Sequence, residues 1–386
     1  MSVIDKKIQR FFAPCPRGLE ALLAQELIGL GAQDVAAGFG GVAFAGDFTL
    51  CYRINLHSRI ASRVLWRIGG GEYGDEEDVY QGALSFNWPD FFSVDRTIVV
   101  KMTAQKSPLK SLEFTTLRIK DAVCDRFREA TGERPNVDIR EPDVRIYAFL
   151  TSDTCTLYLD TSGDSLFKRG LRKQAGAAPL NENLAAGMLM LSGWQPGTPL
   201  FDPMCGSGTI LMEAALMALN IAPGSRRSFG FMKLSNFDSV IWNTLRDTAI
   251  AAQQPAEPQA IYGRDLFGDS LRDAQVNLEA AGLSGVVQLK QGNVLEVPAP
   301  AESGTIVTNP PYGIRIGEQA ELAEFYPRLG DWLKRKCSGW NAYILSADMQ
   351  LPKLIRLAAS KRTPLFNGAL ECRLFEYKVV AGSARK

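Results

Sequence analysis

The sequence predicts an α/β protein in which a mostly parallel sheet carries helices on both faces, preceded by a smaller α+β region. Two patterns support this fold class. After Gly170, short apolar runs alternate with amphipathic segments at helical spacing, as in repeated βα units. The first 165 residues also contain strand-like and helix-like segments, but these lack the regular alternation.

Each element of the N-terminal region follows from the spacing of its apolar residues. Helical spacing predicts helices at 18–29, 53–66 and 115–130, and apolar runs predict strands at 40–44 and 97–102. Residues 145–150 and 156–160 alternate as the two strands of a hairpin. The glycine-rich 69–74 and the acidic 75–78 predict a loop.

In the C-terminal region the predicted strands are apolar runs, and the helices between them are amphipathic. The strands are 199–201, 260–263, 286–289, 304–308, 341–345 and 372–380. The helices are 180–191, 210–219, 240–251, 270–281, 320–336 and 351–360. This alternation predicts a parallel sheet that is buried beneath helices.

The composition is that of a globular protein with material for two or three domains. Of the 386 residues, 46% are hydrophobic and 22% are charged, and the net charge of +1 gives no global basic field. No stretch approaches the roughly 18 consecutive apolar residues of a membrane span, and the first residues lack the apolar core of a secretory signal. We therefore expect a cytoplasmic protein without membrane contact.

The cysteine and histidine content argues against several classes of enzyme. The seven cysteines are scattered, and no two have the spacing of a zinc ribbon or a redox couple. His57, the only histidine, lies far in sequence from every motif described below, which argues against a Ser-His-Asp hydrolase and a His-ligated metal enzyme. We expect no metal site, and we expect His57 to be a structural or surface residue rather than a catalyst.

Polar residues follow three successive strands of the predicted parallel sheet. In the first loop (Asp202-Pro-Met-Cys-Gly-Ser-Gly-Thr), Gly206 and Gly208 permit sharp turns and a close approach of the backbone to a ligand, but the spacing is not that of a P-loop. Asp265 ends the second strand, where a carboxylate can accept ribose hydroxyl protons, and Asn293 follows the third, where an amide can meet adenine. Together they favour an adenosine-containing cofactor, either a dinucleotide or S-adenosylmethionine.

The residues that follow a fourth strand distinguish between these two possible cofactors. Asn309-Pro-Pro-Tyr-Gly follows the apolar strand 304–308, and Pro310 and Pro311 fix φ and remove two N–H donors. The loop therefore presents oxygen acceptors, while Tyr312 adds an aromatic face. This combination suits a flat group that bears an NH₂, which favours methyl transfer to an exocyclic amine.

These residues resemble the motifs of class I S-adenosylmethionine-dependent methyltransferases that act on exocyclic amines. The segments that extend the resemblance over nearly the whole chain are 14–19 (Pro-Cys-Pro-Arg-Gly-Leu), 134–138, 167–172 (Phe-Lys-Arg-Gly-Leu-Arg), 178–186 and 367–372. They are similar to bacterial THUMP-containing rRNA guanine-N2 methyltransferases, above all those that modify large-subunit rRNA. The resemblance implies a ferredoxin-like segment at 1–43, a THUMP RNA-binding domain at 44–160, and a Rossmann-like class I methyltransferase domain with a mostly parallel seven-stranded sheet at 161–386.

The resemblance also implies S-adenosyl-L-methionine as the cofactor. The implied cofactor-binding residues are Asp202, Cys205, Gly206, Gly208, Thr209, Asp265 and Asn293. Asn293 departs from the family, in which this position is often Asp, but an amide can still pair with adenine. Methylation at carbon 5 of a pyrimidine needs a cysteine nucleophile, and Cys205 lies in the cofactor loop, where we assign it to packing.

The implied reaction is methyl transfer to the N2 of a guanine in 23S rRNA, with Asn309, Pro310 and Tyr312 as catalytic residues. The side-chain oxygen of Asn309 and the main-chain carbonyl of Pro310 would accept the two amine protons, so that the nitrogen lone pair points at the methyl group. In-line alignment then supplies much of the catalysis, and no strong base is needed.

RNA is the expected partner. Basic residues concentrate between Arg96 and Arg128 and again at 168–173. The predicted substrate-binding residues are Lys106, Lys110, Arg118, Lys168, Arg169 and Arg172. Phosphate contacts at these positions would make RNA affinity depend on salt.

Three alternatives stay open at this point. An Asn-Pro-Pro-Tyr loop also serves DNA adenine-N6 or cytosine-N4 methylation, and it can receive the amide of a protein glutamine. A different class is a non-catalytic RNA-binding assembly factor that retains a cofactor fold. The intact Asn309, Pro310 and Tyr312 weigh against the last alternative.

Overall fold

A computed structural model describes residues 7–171, 180–311 and 318–379, without the side chains of 318–322. The chain forms two compact units. The first unit comprises residues 1–14, 24–166 and 227–248, and the second comprises 15–23, 167–226 and 249–386. The predicted domain boundaries, 1–43, 44–160 and 161–386, stay predictions.

The first unit is built on a mixed seven-stranded sheet. Its strands are β1 (Gln9–Pro14), β2 (Gln33–Gly38), β3 (Gly41–Gly46), β4 (Leu65–Glu72), β5 (Ile98–Ala104), β6 (Val144–Leu150) and β7 (Thr154–Asp160), and its helices are α1 (Glu20–Gly29), α2 (Phe48–His57), α3 (Glu76–Leu84) and α4 (Leu112–Thr131). The strand order is β2-β3-β1-β4-β7-β6-β5. All neighbours are antiparallel except β5 and β6, which are parallel.

Two predicted elements of this unit are wrong. The helix predicted at 53–66 ends at His57, and Leu65 instead begins β4, where it pairs with Asp160 of β7. The loop predicted at 69–78 is partly a strand, because β4 continues to Glu72. Asp75 then caps α3 by accepting the backbone N–H of Asp78 at 3.0 Å.

His57 ends helix α2 and is partly buried. Burial, followed by the charges of Arg59 and Arg53, lowers its pKa. The expectation that His57 is a structural or surface residue stays a prediction.

The second unit carries the predicted parallel sheet. Its strands are β8 (Leu200–Asp202), β9 (Ile261–Asp265), β10 (Gln288–Gln291), β11 (Gly304–Thr308), β12 (Trp340–Ser346), β13 (Lys361–Asn367) and β14 (Leu370–Lys378). The helices from this part of the sequence are α5 (Glu182–Leu191), α6 (Thr209–Ala218), α7 (Ser239–Ala251), α8 (Gly268–Ala280), α9 (Glu318–Lys336) and α10 (Leu351–Ile355), of which α7 lies mostly in the first unit. The strand order is β10-β9-β8-β11-β12-β14-β13.

The sheet of the second unit confirms the predicted fold class. The neighbours from β10 to β12 are all parallel, and only β14, which pairs with β12 and β13, runs in the opposite direction. The strand order reverses direction at β8, which lies between β9 and β11. In open parallel sheets the crevice at such a switch, outside the carboxyl ends of the strands, is where ligands bind.

Candidate active site

Four predicted site residues lie along one edge of the second sheet. Asp202 ends β8, Asp265 ends β9, Asn293 follows β10 and Asn309 follows β11. These four strands are neighbours and run parallel, so their carboxyl ends share one edge. With neighbouring strands about 4.8 Å apart, the row spans roughly 15 Å.

The loop after β8 turns at two glycines with left-handed backbone angles. Gly206 has φ +51° and Gly208 has φ +80°, values that side chains other than glycine rarely adopt. A Cβ at Gly208 would lie 3.0 Å from the Cβ of Ala274 in α8, whereas a Cβ at Gly206 would meet nothing within 4 Å. The loop is therefore packed on one side and open at Gly206, directly before the N-terminus of α6.

Asp265 holds this loop in place. Its Oδ2 accepts the backbone N–H of Gly206 at 2.9 Å, and its Oδ1 accepts that of Phe267 at 3.0 Å. Each carboxylate oxygen retains a second lone pair, so these bonds leave acceptor capacity for ribose hydroxyls. The ribose contact itself stays a prediction.

Asp202 is 2% exposed and lies close enough to Asp265 for their charges to repel each other. Burial and this repulsion raise the pKa of Asp202 to about 7, although the backbone N–H of Met204, at 3.3 Å, partly stabilises the charged form.

Cys205 and Thr209 flank the glycines, and both are buried. Burial, with the negative charges of Asp202 and Asp265, raises the pKa of the Cys205 thiol well above its ordinary value. A thiol held protonated in this way is a poor nucleophile. This agrees with the packing role that the sequence predicts for Cys205.

Asn293 uses its side chain locally. Its Oδ1 accepts the backbone N–H of Leu295 at 3.0 Å, and its Nδ2 donates to Glu296 at 2.9 Å. The first bond caps the single helical turn at Val294–Glu296, and the second ties the amide to a side chain of that turn. The predicted contact of Asn293 with adenine stays a prediction, and these bonds compete with it.

The corner after β11 combines a half-buried Asn309, a buried Pro310 and an exposed Pro311. The carbonyl of Pro311 accepts a hydrogen bond from the hydroxyl of Tyr326 in α9 at 3.0 Å. Sequence reasoning missed Tyr326, because nothing in the spacing of the two residues shows that they meet. Tyr312 lies outside the described residues.

Two exposed apolar residues beside Asp265 were also missed. Leu266 is 56% exposed and Phe267 is 67% exposed, on the segment that leads from β9 into α8. Their exposure at the carboxyl end of β9 makes both side chains accessible to a ligand at this edge of the sheet. The sequence could have indicated them, because Leu266 and Phe267 are two adjacent apolar residues between Asp265, at the end of a strand, and the start of a helix.

The predicted RNA-binding residues fall into different environments. Lys106 and Lys110 are exposed and form no ion pair among the described residues, whereas Arg118 pairs with Glu77. Lys168 is exposed. Arg169 is buried and bonds Glu213 of α6 at 3.1 Å, so its guanidinium is not on the surface where the sequence placed it.

Other classes of site find no support in the described residues. Within 7–171, 180–311 and 318–379, no cluster of His, Cys, Asp or Glu has the arrangement of a metal site. In the same part of the chain, no helix combines the length and apolar character that crossing a bilayer requires.

Comparisons with known proteins agree with this architecture. Residues 169–376 match the RMKL-like methyltransferase domain, residues 73–160 match the THUMP domain, and residues 10–65 match the RlmL ferredoxin-like domain. SMU.472, a provisionally assigned methyltransferase solved as a complex with SAH, superposes with a TM-score of 0.88 at 29% identity, covering 98% of this chain and 100% of its own.

Two curated relatives extend the comparison. A provisionally named RNA methyltransferase of Synechocystis sp. is 40% identical over 379 residues, covering 98% of this chain and 99% of the relative. The ribosomal RNA large subunit methyltransferase K/L of Shewanella sp. is 40% identical over 381 residues, but this chain spans only 54% of its length. The predicted family is thus confirmed, and the chain belongs to the RMKL-like methyltransferases, with ferredoxin-like and THUMP domains preceding the class I methyltransferase fold.

Proposed function

We propose that this chain is a cytoplasmic enzyme that transfers the methyl group of S-adenosylmethionine to the exocyclic N2 of a guanine in 23S rRNA. The observation that carries the proposal is the Asn309-Pro310 corner on β11, next to β8 and its glycine loop. The names of the relatives from Synechocystis and Shewanella support RNA, and the second supports the large ribosomal subunit.

The residues at the edge of β8 and β9 fit the adenosine part of the cofactor. The open side of Gly206 leaves room for a ligand against the backbone, and the Asp265 carboxylate keeps lone pairs for ribose hydroxyls. Leu266 and Phe267 offer apolar surface to a planar base. When bound, S-adenosylmethionine supplies a methyl carbon made electrophilic by its sulfonium.

The corner after β11 fits the amine. The amino group of guanine is a weak nucleophile because its lone pair is delocalised into the ring. We assign the Asn309 side-chain oxygen and the Pro310 carbonyl as acceptors of its two protons, which leaves the lone pair directed away from the corner. Neither proline has an N–H to compete for these acceptors, and Tyr312 is proposed to stack on the base.

Proton removal needs no side-chain base in this scheme. Once methylated, the nitrogen is a strongly acidic ammonium that loses its proton to water. The only histidine of the chain, His57, belongs to the first unit. Alignment of the amine and the stabilisation of its protons therefore carry the reaction.

Cys205 argues against methylation at carbon 5 of a pyrimidine. That reaction needs a thiolate that attacks the ring, and burial beside two carboxyl groups keeps Cys205 protonated. The exocyclic amine is the nucleophile that matches the described residues.

The loop between β5 and α4 is the proposed RNA surface of the first unit. Lys106 and Lys110 are exposed on it, and Phe114 and Leu117, in the first turns of α4, are also exposed. Lysine ammonium groups bind phosphates, and an exposed aromatic ring provides a stacking surface for an unpaired base. The segment lies within the part that matches the THUMP domain.

The decisive experiment compares modified nucleosides in rRNA from cells with and without the gene, by mass spectrometry. We expect one N2-methylguanosine in 23S rRNA to disappear with the gene and to return when the purified full chain is added to the unmodified RNA. The same comparison on DNA and on total protein tests the alternatives: a missing N6-methyladenine or N4-methylcytosine in DNA, or a missing methylated glutamine in protein, would support them, and no missing modification in any of the three would support an assembly factor.

Asn309→Ala tests the assigned chemistry. We expect methyl transfer to be abolished, while the affinity for S-adenosylhomocysteine, measured by calorimetry, stays near that of the wild type. Asn341→Ala is the matched control, because Asn341 is exposed near the opposite end of the neighbouring strand β12. Equal loss of transfer and of cofactor affinity in Asn309→Ala would contradict the role of Asn309.

A further inference from the structure

Tyr326 connects the core of the second unit to the catalytic corner. It lies in α9 and is 1% exposed, and its hydroxyl donates to the Pro311 carbonyl at 3.0 Å. Its ring belongs to a buried cluster that includes Phe201 of β8, Ile306 of β11 and Ile344 of β12. The ring of Tyr326 is therefore anchored in a core to which β8 and β11, two strands of the site edge, both contribute.

The corner depends on such a contact more than an ordinary loop does. Two consecutive prolines remove the backbone N–H groups that usually tie a loop to its surroundings. Hydrogen bonds to the carbonyl groups remain, and Tyr326 supplies one of them at Pro311, directly after the proposed acceptor Pro310. The bond therefore limits where the Pro310 carbonyl can lie.

Tyr326 is suited to remain a donor. Burial, followed by the negative charge of Asp348, raises the pKa of its hydroxyl, so the group stays protonated at any working pH. The Pro311 residue itself is exposed, so water can replace the lost bond if the hydroxyl is removed. Loss of the hydroxyl should thus disturb geometry more than stability.

We infer that Tyr326 is a positioning residue for methyl transfer, whose hydroxyl fixes Pro311 so that the Asn309 and Pro310 oxygens meet the target amine. The inference rests on the proposed function. Catalysis that relies on alignment is sensitive to small displacements, since an error of about 1 Å can cost on the order of 100-fold in rate.

Tyr377 provides a matched control within the same core. It lies in β14, is also 1% exposed and belongs to the same buried cluster as Tyr326. Its hydroxyl is buried and has no hydrogen-bond partner in the part of the chain that the structure describes. Tyr377→Phe therefore removes the same atom from the same core without removing a hydrogen bond to the corner.

The test compares Tyr326→Phe, Tyr377→Phe and the wild type as full chains, using 23S rRNA that lacks the modification. For Tyr326→Phe we expect kcat to fall about 10- to 100-fold, with KM for RNA and for the cofactor within about twofold of the wild type. Tyr377→Phe should keep the wild-type kcat. Equal kcat values in all three proteins, or the same loss in both variants, would overturn the inference.

A second measurement does not depend on the RNA substrate. Crystal structures of both variants with S-adenosylhomocysteine should show residues 309–311 displaced in Tyr326→Phe and unchanged in Tyr377→Phe. An unmoved corner in Tyr326→Phe refutes the positioning role even if the proposed substrate is wrong. A wild-type enzyme that is inactive on rRNA, together with a displaced corner, contradicts the proposed substrate alone.

Discussion

Replacing Asp202 by Asn should make the second unit more stable at neutral pH and leave it unchanged in acid. Asp202 is buried at the end of β8, and its pKa rises from 3.8 to about 7 because of burial and the nearby charge of Asp265. The folded state therefore binds the proton of Asp202 more tightly than the unfolded state does. As pH rises from about 4 to about 7, the unfolded carboxyl ionises first, and the free energy of unfolding falls.

The size of the effect follows from the shift. A rise of roughly 3 pKa units, at 1.36 kcal/mol per unit, corresponds to about 4 kcal/mol. This stability is fully present below about pH 4 and is lost as pH rises through about 7. Because Asn does not titrate, the stability difference between Asp202→Asn and the wild type should grow by about 4 kcal/mol between pH 4 and pH 8.

Pulse-labelled hydrogen exchange during urea unfolding measures this difference for peptides from β8 to β12, without assuming that both units unfold together. Asp269→Asn is the control, because the Asp269 side chain is 90% exposed and its pair with Arg272 lies on the surface. A stability difference between Asp202→Asn and the wild type that stays constant with pH would refute the reasoning.

Two further predictions concern cofactor and RNA binding. Asp265→Ala should weaken the affinity for S-adenosylhomocysteine at least tenfold, as measured by calorimetry. The substitution removes both the proposed ribose acceptor and the hydrogen bond that holds Gly206. An unchanged affinity would remove Asp265 from the cofactor site. The double variant Lys106→Ala/Lys110→Ala should weaken rRNA binding, because each lysine is proposed to bind a phosphate. Filter binding at several salt concentrations should show that the slope of log binding constant against log salt concentration becomes smaller by about 1.5 to 2. An unchanged slope would show that the RNA binds elsewhere.

The sequence predicted the second unit well for a physical reason. Strands buried on both faces are short apolar runs, and their ends must be polar where they reach the ligand edge. Asp202, Asp265 and Asn309 marked three such ends, and parallel connection forces these ends to one edge of the sheet. The polar residues that follow apolar runs in the sequence are therefore the same residues that line the edge of the sheet in the structure.

The errors in the first unit have the opposite cause. The segment 53–66 has helical spacing, yet Leu65 pairs with Asp160, a residue 95 positions later in the chain. The glycines at 69–71 likewise join β4 because β7 pairs with them. Long-range pairing outweighed local preference in both places, and local patterns do not report such pairing.

Side-chain partners were the least predictable part of the site. Arg169 lies in a basic run, and its charge suggested an RNA contact, but its partner Glu213 is 44 residues away on α6. Tyr326 lies on a helix with an ordinary amphipathic sequence, and only the fold brings its hydroxyl to Pro311. The charge and the periodicity of a segment are local properties of the sequence, whereas the ion pairs and hydrogen bonds of a side chain depend on the folded structure.

The arrangement of the edge explains how an enzyme of this kind can work without a general base. The β8 side holds carboxylates and backbone N–H groups, and the β11 corner presents carbonyl and amide oxygens, with no histidine in the second unit and a protonated thiol at Cys205. Under the proposed function, the rate then depends on how accurately the corner is placed, because the scheme assigns proton transfer to none of the described side chains. Two prolines and the Tyr326 bond stiffen that corner, so substitutions there should lower kcat, whereas loss of lysine charge at Lys106 should raise KM for RNA.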